Sequence, residues 1–390
     1  MKKLFTLTLA AALFAGVSTS AQAELELSGN VTSIIGYQHN DDKASGSNNA
    51  GAIDSTVTST APVADTNVFG VWVDQVEVDG DYTYGENVRV RFDLDFMDHG
   101  NNSVGNFATG LEQGYVTFNV PAGNGWEWAV GKFNAPVGLE NVDRVDNTFV
   151  SYTPSWTYMV PKNVLGVKAY YEMNDTWNLD FSLINDFNGY SITTDSTSAA
   201  PSALLRVGGV WGEEDAPSSF NVALGAGYEH STATGSNTTG NTAQNDSEGF
   251  DILANVWGEA VFNYFTLGYE GIARGTQGVV STDFDFGFGG QLYGKYAASD
   301  TLSVQARYAL HVDQDLKGDG SSATGAVWSD VYASGNGLAG MTHQGTLGLT
   351  HNITDGANVT AEYQFSYVDN DVNADASMYH AALVGFGYSF

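Results

Sequence analysis

Two sets of charged side chains have the spacing to act on a solute. Glu140, Asp143, Arg144 and Asp146 fall close together, with Lys162 further on. They lie inside a stretch from Asn134 to Asn163 otherwise rich in apolar and aromatic residues, among them Phe149, Tyr152, Trp156, Tyr158 and Met159. Arg89, Arg91, Asp93, Asp95, Lys168, Arg206, Lys295 and Arg307 recur at the polar positions of segments whose alternate residues are apolar. If the first set faced the second across a narrow water-filled gap, the opposed charges would set up a transverse field. Such a field orders polar solutes, and a charged ring selects ions by sign. The plainer role is pairing: Arg91 and Asp93 would simply bridge neighbouring strands, because interior charges often pair for stability rather than selection. Taken one residue at a time, pairing is the preferred reading.

Other chemistry is poorly supplied. Asp369 to Asp375 and Asp313 to Asp319 resemble pieces of a calcium loop. The first has Ala where the turn needs Gly, the second has Lys at a ligand position, and neither has the closing Glu. The seven histidines show no paired metal-ligand spacing. The chain has no cysteine, which removes disulfides, thiolate metal sites and c-type haem attachment. No Gly-x-Ser-x-Gly elbow or other local nucleophile–base signature is present. No catalytic residue, cofactor or dedicated metal site is expected.

The charge is strongly acidic. Lys2 and Lys3 belong to an N-terminal leader; without them 12 basic residues face 45 acidic ones, a formal charge of −33. Nucleic acid is therefore excluded as a partner. Acids on solvated loops would give solubility or bridge divalent ions to lipopolysaccharide, and total charge alone favours that reading over acids lining a channel.

The elements that position these residues follow from periodicity. The leader consists of Lys2 and Lys3, an apolar run from Leu4 to Val17, and the small-residue pattern Ala21-Gln22-Ala23. It reads as a signal peptide covering residues 1–23, with 24–390 as the mature chain. No later stretch has the ~18 to 20 consecutive apolar residues of a spanning helix. Instead, Val88, Val90, Phe92, Leu94 and Phe96 interleave with Arg89, Arg91, Asp93 and Asp95, and Val359 to Tyr367 alternates with Thr360, Glu362, Gln364 and Ser366. Phe386, Tyr388 and Phe390 end the chain on an aromatic face. With 46 glycines, only 7 prolines and 13% aromatics, one all-β unit fits better than several soluble domains. Segments of this kind number about sixteen. The second, Val68 to Asp79, is the least regular and suggests a bulge near Asp74.

A closed barrel of more than about twelve strands is too wide to fill with side chains, so water and polar groups must lie inside and the aromatic rings outside. Short connections such as Tyr84-Gly85-Glu86 and Asp355-Gly356 alternate with long polar ones such as His39 to Asn67, Ser231 to Glu248 and Asp313 to Thr342. That pattern predicts a transmembrane antiparallel β-barrel with both termini periplasmic. Sixteen strands meet the parity requirement, as fourteen or eighteen would. The third long connection, about 134–163, is too apolar to wave in solvent and is expected to pack against the inner wall or a neighbouring subunit.

That stretch carries a resemblance. Gly131-Lys132-Phe133-Asn134-Ala135-Pro136-Val137-Gly138-Leu139-Glu140 is followed by Asn147-Thr148-Phe149-Val150-Ser151-Tyr152, then by Val164-Leu165-Gly166-Val167 and Trp177. Together these resemble the OmpL-like β-barrel porin family of Gram-negative outer membranes, with its G-K-F-x-x-P-x-G-x-E element. The resemblance implies a water-filled channel for passive diffusion of small hydrophilic solutes and ions, and an inward-folded third loop that narrows it. The acidic excess adds an expected preference for cations. Outer-membrane lipid and lipopolysaccharide would surround it, and homotrimers are common for porins of this size. The rival readings are a barrel enzyme and a structural or sheath barrel around a partner protein.

Overall fold

The computed structural model describes residues 23–40, 66–85, 87–97, 108–121, 125–185, 187, 201–213, 216–233, 245–277, 284–313, 341–369 and 377–390. The leader up to residue 22, most of the long polar connections and all but the first residue of both calcium-loop-like stretches lie outside them. Sixteen strands form one closed barrel in which each pairs antiparallel with its sequence neighbours. They are β1 (Ala23–Asn40), β2 (Thr66–Tyr84), β3 (Val88–Met97), β4 (Ala108–Val120), β5 (Trp126–Asn134), β6 (Asn163–Glu172), β7 (Trp177–Ile184) and β8 (Ser202–Glu213). The second half comprises β9 (Ala216–Ala233), β10 (Asn245–Phe262), β11 (Phe265–Gln277), β12 (Phe284–Ala297), β13 (Leu302–Asp313), β14 (Met341–Thr354), β15 (Ala357–Asp369) and β16 (Ser377–Ser389). β1 closes on β16, and Gly29 and the terminal Phe390 exchange two backbone hydrogen bonds at 3.0 and 3.1 Å.

The alternation sorts side chains as a lipid-facing barrel requires. Leu224, Leu292, Leu347, Phe386, Tyr388 and Phe390 are exposed on the outside, while Gln305, Arg307, Gln344, Glu362 and Gln364 on the other parity are buried within the lumen. β2 runs five residues past the expected Asp79. Gly80 looks like a turn signal, but the Phe92 ring of β3 lies over it so closely that a Cβ there would stand 2.1 Å from the ring. The neighbour's aromatic thus fills the gap the glycine leaves, and the ladder continues.

Two bulges flank β3. Thr32 pairs with Gln75 and Ser33 with Val73, which leaves Asp74 as the extra residue of β2. Asp93 pairs with Gln113 and Leu94 with Leu111, which leaves Glu112 as the extra residue of β4. A bulge lets two consecutive residues face the same way. Asp74-Gln75 and Glu112-Gln113 are each an acid beside an amide, and the four side chains gather in the lumen.

Candidate functional site: the loop between β5 and β6

Residues 135–162 leave β5 and return to β6 through a neck closed by the Ala135 N–H donating to Lys162 O at 2.7 Å. Between these ends the chain reaches lumen-facing side chains of β2, β10, β11, β13, β14 and β15. The residues of the family-like element each have a physical task. A Cβ at Gly131 would lie 2.2 Å from Gly114 O, so only glycine lets β5 approach β4 there. Phe133 is fully buried. Gly138 sits at φ +97, a left-handed conformation costly for other residues, and a side chain there would press on Trp156.

Glu140 is the pivot of the loop. Its carboxylate accepts the Thr153 N–H at 3.1 and 3.2 Å and the Thr153 hydroxyl at 2.5 Å. Thr153 in turn caps the short helix α1 (Pro154–Tyr158), its side-chain oxygen accepting the Trp156 N–H. Across the lumen Arg307 of β13 donates to Glu140 at 2.8 Å, to Ser151 O at 2.8 Å and to the Ser151 hydroxyl at 2.9 Å, and its guanidinium stacks 4.4 Å from the Phe149 ring centre. Glu362 of β15 accepts the Val150 N–H, the Ser151 N–H at 3.1 Å and the Ser151 hydroxyl at 2.8 Å. Glycines make the wall shallow where the loop lands: a Cβ at Gly289 would meet Ser155 at 2.2 Å and one at Gly385 would meet Val150 at 2.6 Å.

The other loop charges divide. Arg144 pairs with Asp74 at 2.5 Å, stacks 4.3 Å from the Tyr152 ring centre and donates to Val150 O. Asp143 accepts from Gln75 at 3.0 Å, and the Arg144 N–H donates to the same amide's oxygen at 3.3 Å. The β2 bulge therefore receives the loop. Asp146 is exposed beside the cavity, yet protein on either side partly withdraws it from bulk water. That withdrawal, with the negative charges of Asp143 and Asp79, holds its carboxyl above the usual carboxylate range. The Tyr152 hydroxyl, donating to Val142 O at 2.5 Å, is pushed up from its ordinary value by burial. Lys162 is exposed, with its ammonium 5.9 Å from the Trp156 ring centre.

On the wall, Arg89 pairs with Asp81 at 2.7 Å, and Arg91 reaches Asp93 at 2.9 Å, Asp81 at 3.5 Å and Asp79 at 4.0 Å. Arg206 pairs with Asp180 and also donates to Asn178 and Asn221. Lys168 stacks 5.2 Å from the Phe133 ring centre. Lys295 acts on Glu259. Asp95 accepts from Gln75 at 3.2 Å. The candidates thus form several neighbourhoods around the loop, and Arg206 and Lys168 stand with β7 and β5 rather than with Glu140. Gln75, Glu112, Asn255, Glu270 and Glu362 hold or flank the loop and were not singled out from sequence. The sequence signal that could have found them is an inward-parity acid or amide. Between the loop and the wall from β9 to β13 lies a cavity of about 280 Å³, lined by Glu140 and Asp146 of the loop and by Glu259, Tyr293 and Arg307 of the wall.

Residues 24–386 match the family described as "Putative beta-barrel porin-2, OmpL-like". The chain belongs to this family. The porin is an outer-membrane channel for solute diffusion. Among solved structures it is similar to the outer-membrane channel DcaP of Acinetobacter baumannii, at 15% identity and TM-score 0.61 over 95% of this chain and 99% of that one. It is also similar to an anion-selective porin from Comamonas acidovorans, at 13% identity and TM-score 0.60 over 95% and 100%. OmpT of Vibrio cholerae in a trimer form matches at 13% identity and TM-score 0.59 over 95% and 100%. At these identities the likeness is one of fold. The porin matches no curated protein.

Proposed function

We propose that the channel passes small hydrophilic solutes and prefers cations, and that the loop of residues 135–162 is its constriction. The observation that carries the preference is the fate of the arginines. All six, Arg89, Arg91, Arg144, Arg206, Arg274 and Arg307, stand in ion pairs with lumen acids, so each one's field on a passing ion is largely cancelled. Acids remain in excess at the cavity, where Asp146 and Glu259 stand. A lumen of net negative potential attracts cations and repels anions.

Several further readings go with this one. Residues 1–23 serve as a signal peptide, and both termini lie on the periplasmic side, the side of the short turns. Lipid and lipopolysaccharide surround the exposed Leu, Phe and Tyr face, and the barrel works as a channel rather than an enzyme. A homotrimer is supported by the trimer form of the similar OmpT fold. The test is single-channel conductance in planar bilayers with reversal potential under a salt gradient, for the wild type and for a form lacking Gly138 to Tyr158. The expected result is a cation-side reversal potential and larger steps after deletion. An anion-side potential would overturn the preference, and unchanged steps the constriction.

A further inference from the structure

Behind the loop, side chains from four consecutive strands line up along one row of the wall. Asn30 of β1 is paired in register with Glu77 of β2, Glu77 with Asp95 of β3, and the bulge of β4 adds Glu112 beside them. Neighbouring strands are about 4.8 Å apart, and one carboxylate oxygen from each of Glu77, Asp95 and Glu112 lies within 4.8 Å of the others. Asn30, Glu77, Asp95 and Glu112 are all buried, at 5%, 1%, 7% and 4% exposure, so this row is withdrawn from the open channel.

One oxygen of each carboxylate is held by an amide. Asn30 Nδ2 donates to Glu77 Oε2 at 2.5 Å, Asn134 Nδ2 to Glu112 Oε1 at 3.3 Å, and Gln75 Nε2 to Asp95 Oδ1 at 3.2 Å. The second oxygens of Glu77 and Glu112 are left without donors. Glu77 Oε1, Glu112 Oε2 and the neutral carbonyl oxygen of Asn30 are buried and receive no hydrogen bond. Amides that fix a carboxylate from behind while its remaining oxygen stays open are what the outer shell of a metal site supplies.

A second triad shares Glu77 and shows the contrast. Glu77, Asp79 and Asp93 are equally crowded, but there Arg91 reaches both aspartates. Arg91 makes no ion pair with Asp95 or Glu112 of the first triad. Lys132, whose charge acts on Glu112 and Asp95, directs its ammonium to Leu111 O at 2.6 Å. The loop adds a further acid, Asp143, within hydrogen-bonding reach of Glu77.

We propose that Glu77, Asp95 and Glu112, with the carbonyl oxygen of Asn30, bind a divalent cation of the calcium class and that this ion fastens the loop to the β2–β4 wall. A hard cation takes oxygen ligands at about 2.3–2.6 Å, which sets opposed oxygens roughly 4.6–5.2 Å apart and suits calcium better than the tighter magnesium. The ion supplies the positive charge that Arg91 supplies to the second triad. It also offsets the repulsion between Asp143 and the wall, leaving Asp143 free to hold Gln75. The proposal holds whichever ion the channel prefers to conduct.

The test is calorimetric titration of calcium chloride into the purified, detergent-solubilised full chain, alongside its thermal melting in calcium and in EDTA. The same measurements are made on Glu77→Gln/Glu112→Gln, with folding checked by heat-modifiable gel mobility. The expected result is a saturable site in the wild type that the variant lacks, and a melting temperature raised by calcium in the wild type alone. In EDTA the variant should melt at or above the wild type, because the repulsion is gone. Equal uptake and equal melting shifts in both forms would assign calcium to the surface acids and overturn the site. A wild type indifferent to calcium, or a variant that melts lower in EDTA, would mean the carboxyls are held by shared protons and would overturn it equally. A variant that fails to fold leaves the wild-type calcium response to decide.

Discussion

The two sides of the lumen hold the same loop by opposite means. From β5 to β11 the wall offers Phe133, Val164, Ile184, Leu204, Ala223, Leu253, Trp257 and Ile272 on its inward parity, and these pack with Val137, Trp156, Met159 and Val160 into one buried apolar cluster. From β2 to β4 the inward positions include Asp74, Gln75, Glu77, Asp93, Asp95, Glu112 and Gln113, and Asp74 and Gln75 among them meet the loop with charge and hydrogen bonds. The apolar side gains stability from area removed from water, which is indifferent to pH and ions. The acidic side gains it only when each charge has a partner, because an unpaired buried charge is costly. One side anchors the loop, and the other can respond to the solution. Arg307 and Glu362 lie beyond both, where the far end of the loop is tied to β13 and β15.

Trp156→Ala should break this division most strongly. It empties the middle of the apolar cluster and should cost about 3–5 kcal/mol, as for other buried Trp truncations. The expected readout is a lower melting temperature with larger, noisier conductance steps. If steps stay the same size, the apolar side is not what holds the loop. Arg307→Met comes next: it leaves Glu140 buried without its cation, and breaking one partner of a buried pair costs about 3–5 kcal/mol, with the lower end expected in a water-filled barrel. The double change Arg307→Met/Glu140→Gln should recover much of that loss. Failure to recover would place the cost in Phe149 stacking and the Ser151 contacts instead.

Asp146→Asn should have the smallest effect and sharpens the comparison on the solution-facing side. Because the Asp146 carboxyl sits above the usual carboxylate range, its charge is lost earlier than an ordinary aspartate's as pH falls. Wild-type cation preference should therefore begin to decline at a higher pH than in the Asn variant, with melting temperature unchanged. Reversal potentials measured across a pH series check this. Coincident profiles would show that Asp146 does not face the ion path.

Much of the fold was legible in the residues. Val88 to Phe96 and Val359 to Tyr367 alternate cleanly because one face meets hydrocarbon and the other water, and that demand is local to each strand. The irregularity at Asp74 was legible for the same reason, as a break in the period. The limits of β2, β9 and β10 were less so, since Gly80 reads as a turn until the Phe92 ring of the next strand covers it. The special content of residues 134–163 was plain from Trp156, Phe149 and their neighbours. Its partners were not, because Arg307, Glu362 and Asn255 look like any other inward polar residue in their own strands.

The sequence by itself determined the barrel, the outward aromatic face, the acidic excess and the one connection too apolar for solvent, because each depends on composition or on a period of two. Only the tertiary structure decided which charges meet. Ladder register sets Asn30, Glu77 and Asp95 in one row although long stretches of chain separate them, and two bulges turn Asp74 and Glu112 toward the lumen. Pairing across a closed barrel couples residues by strand order and stagger, and no spacing along the chain records that.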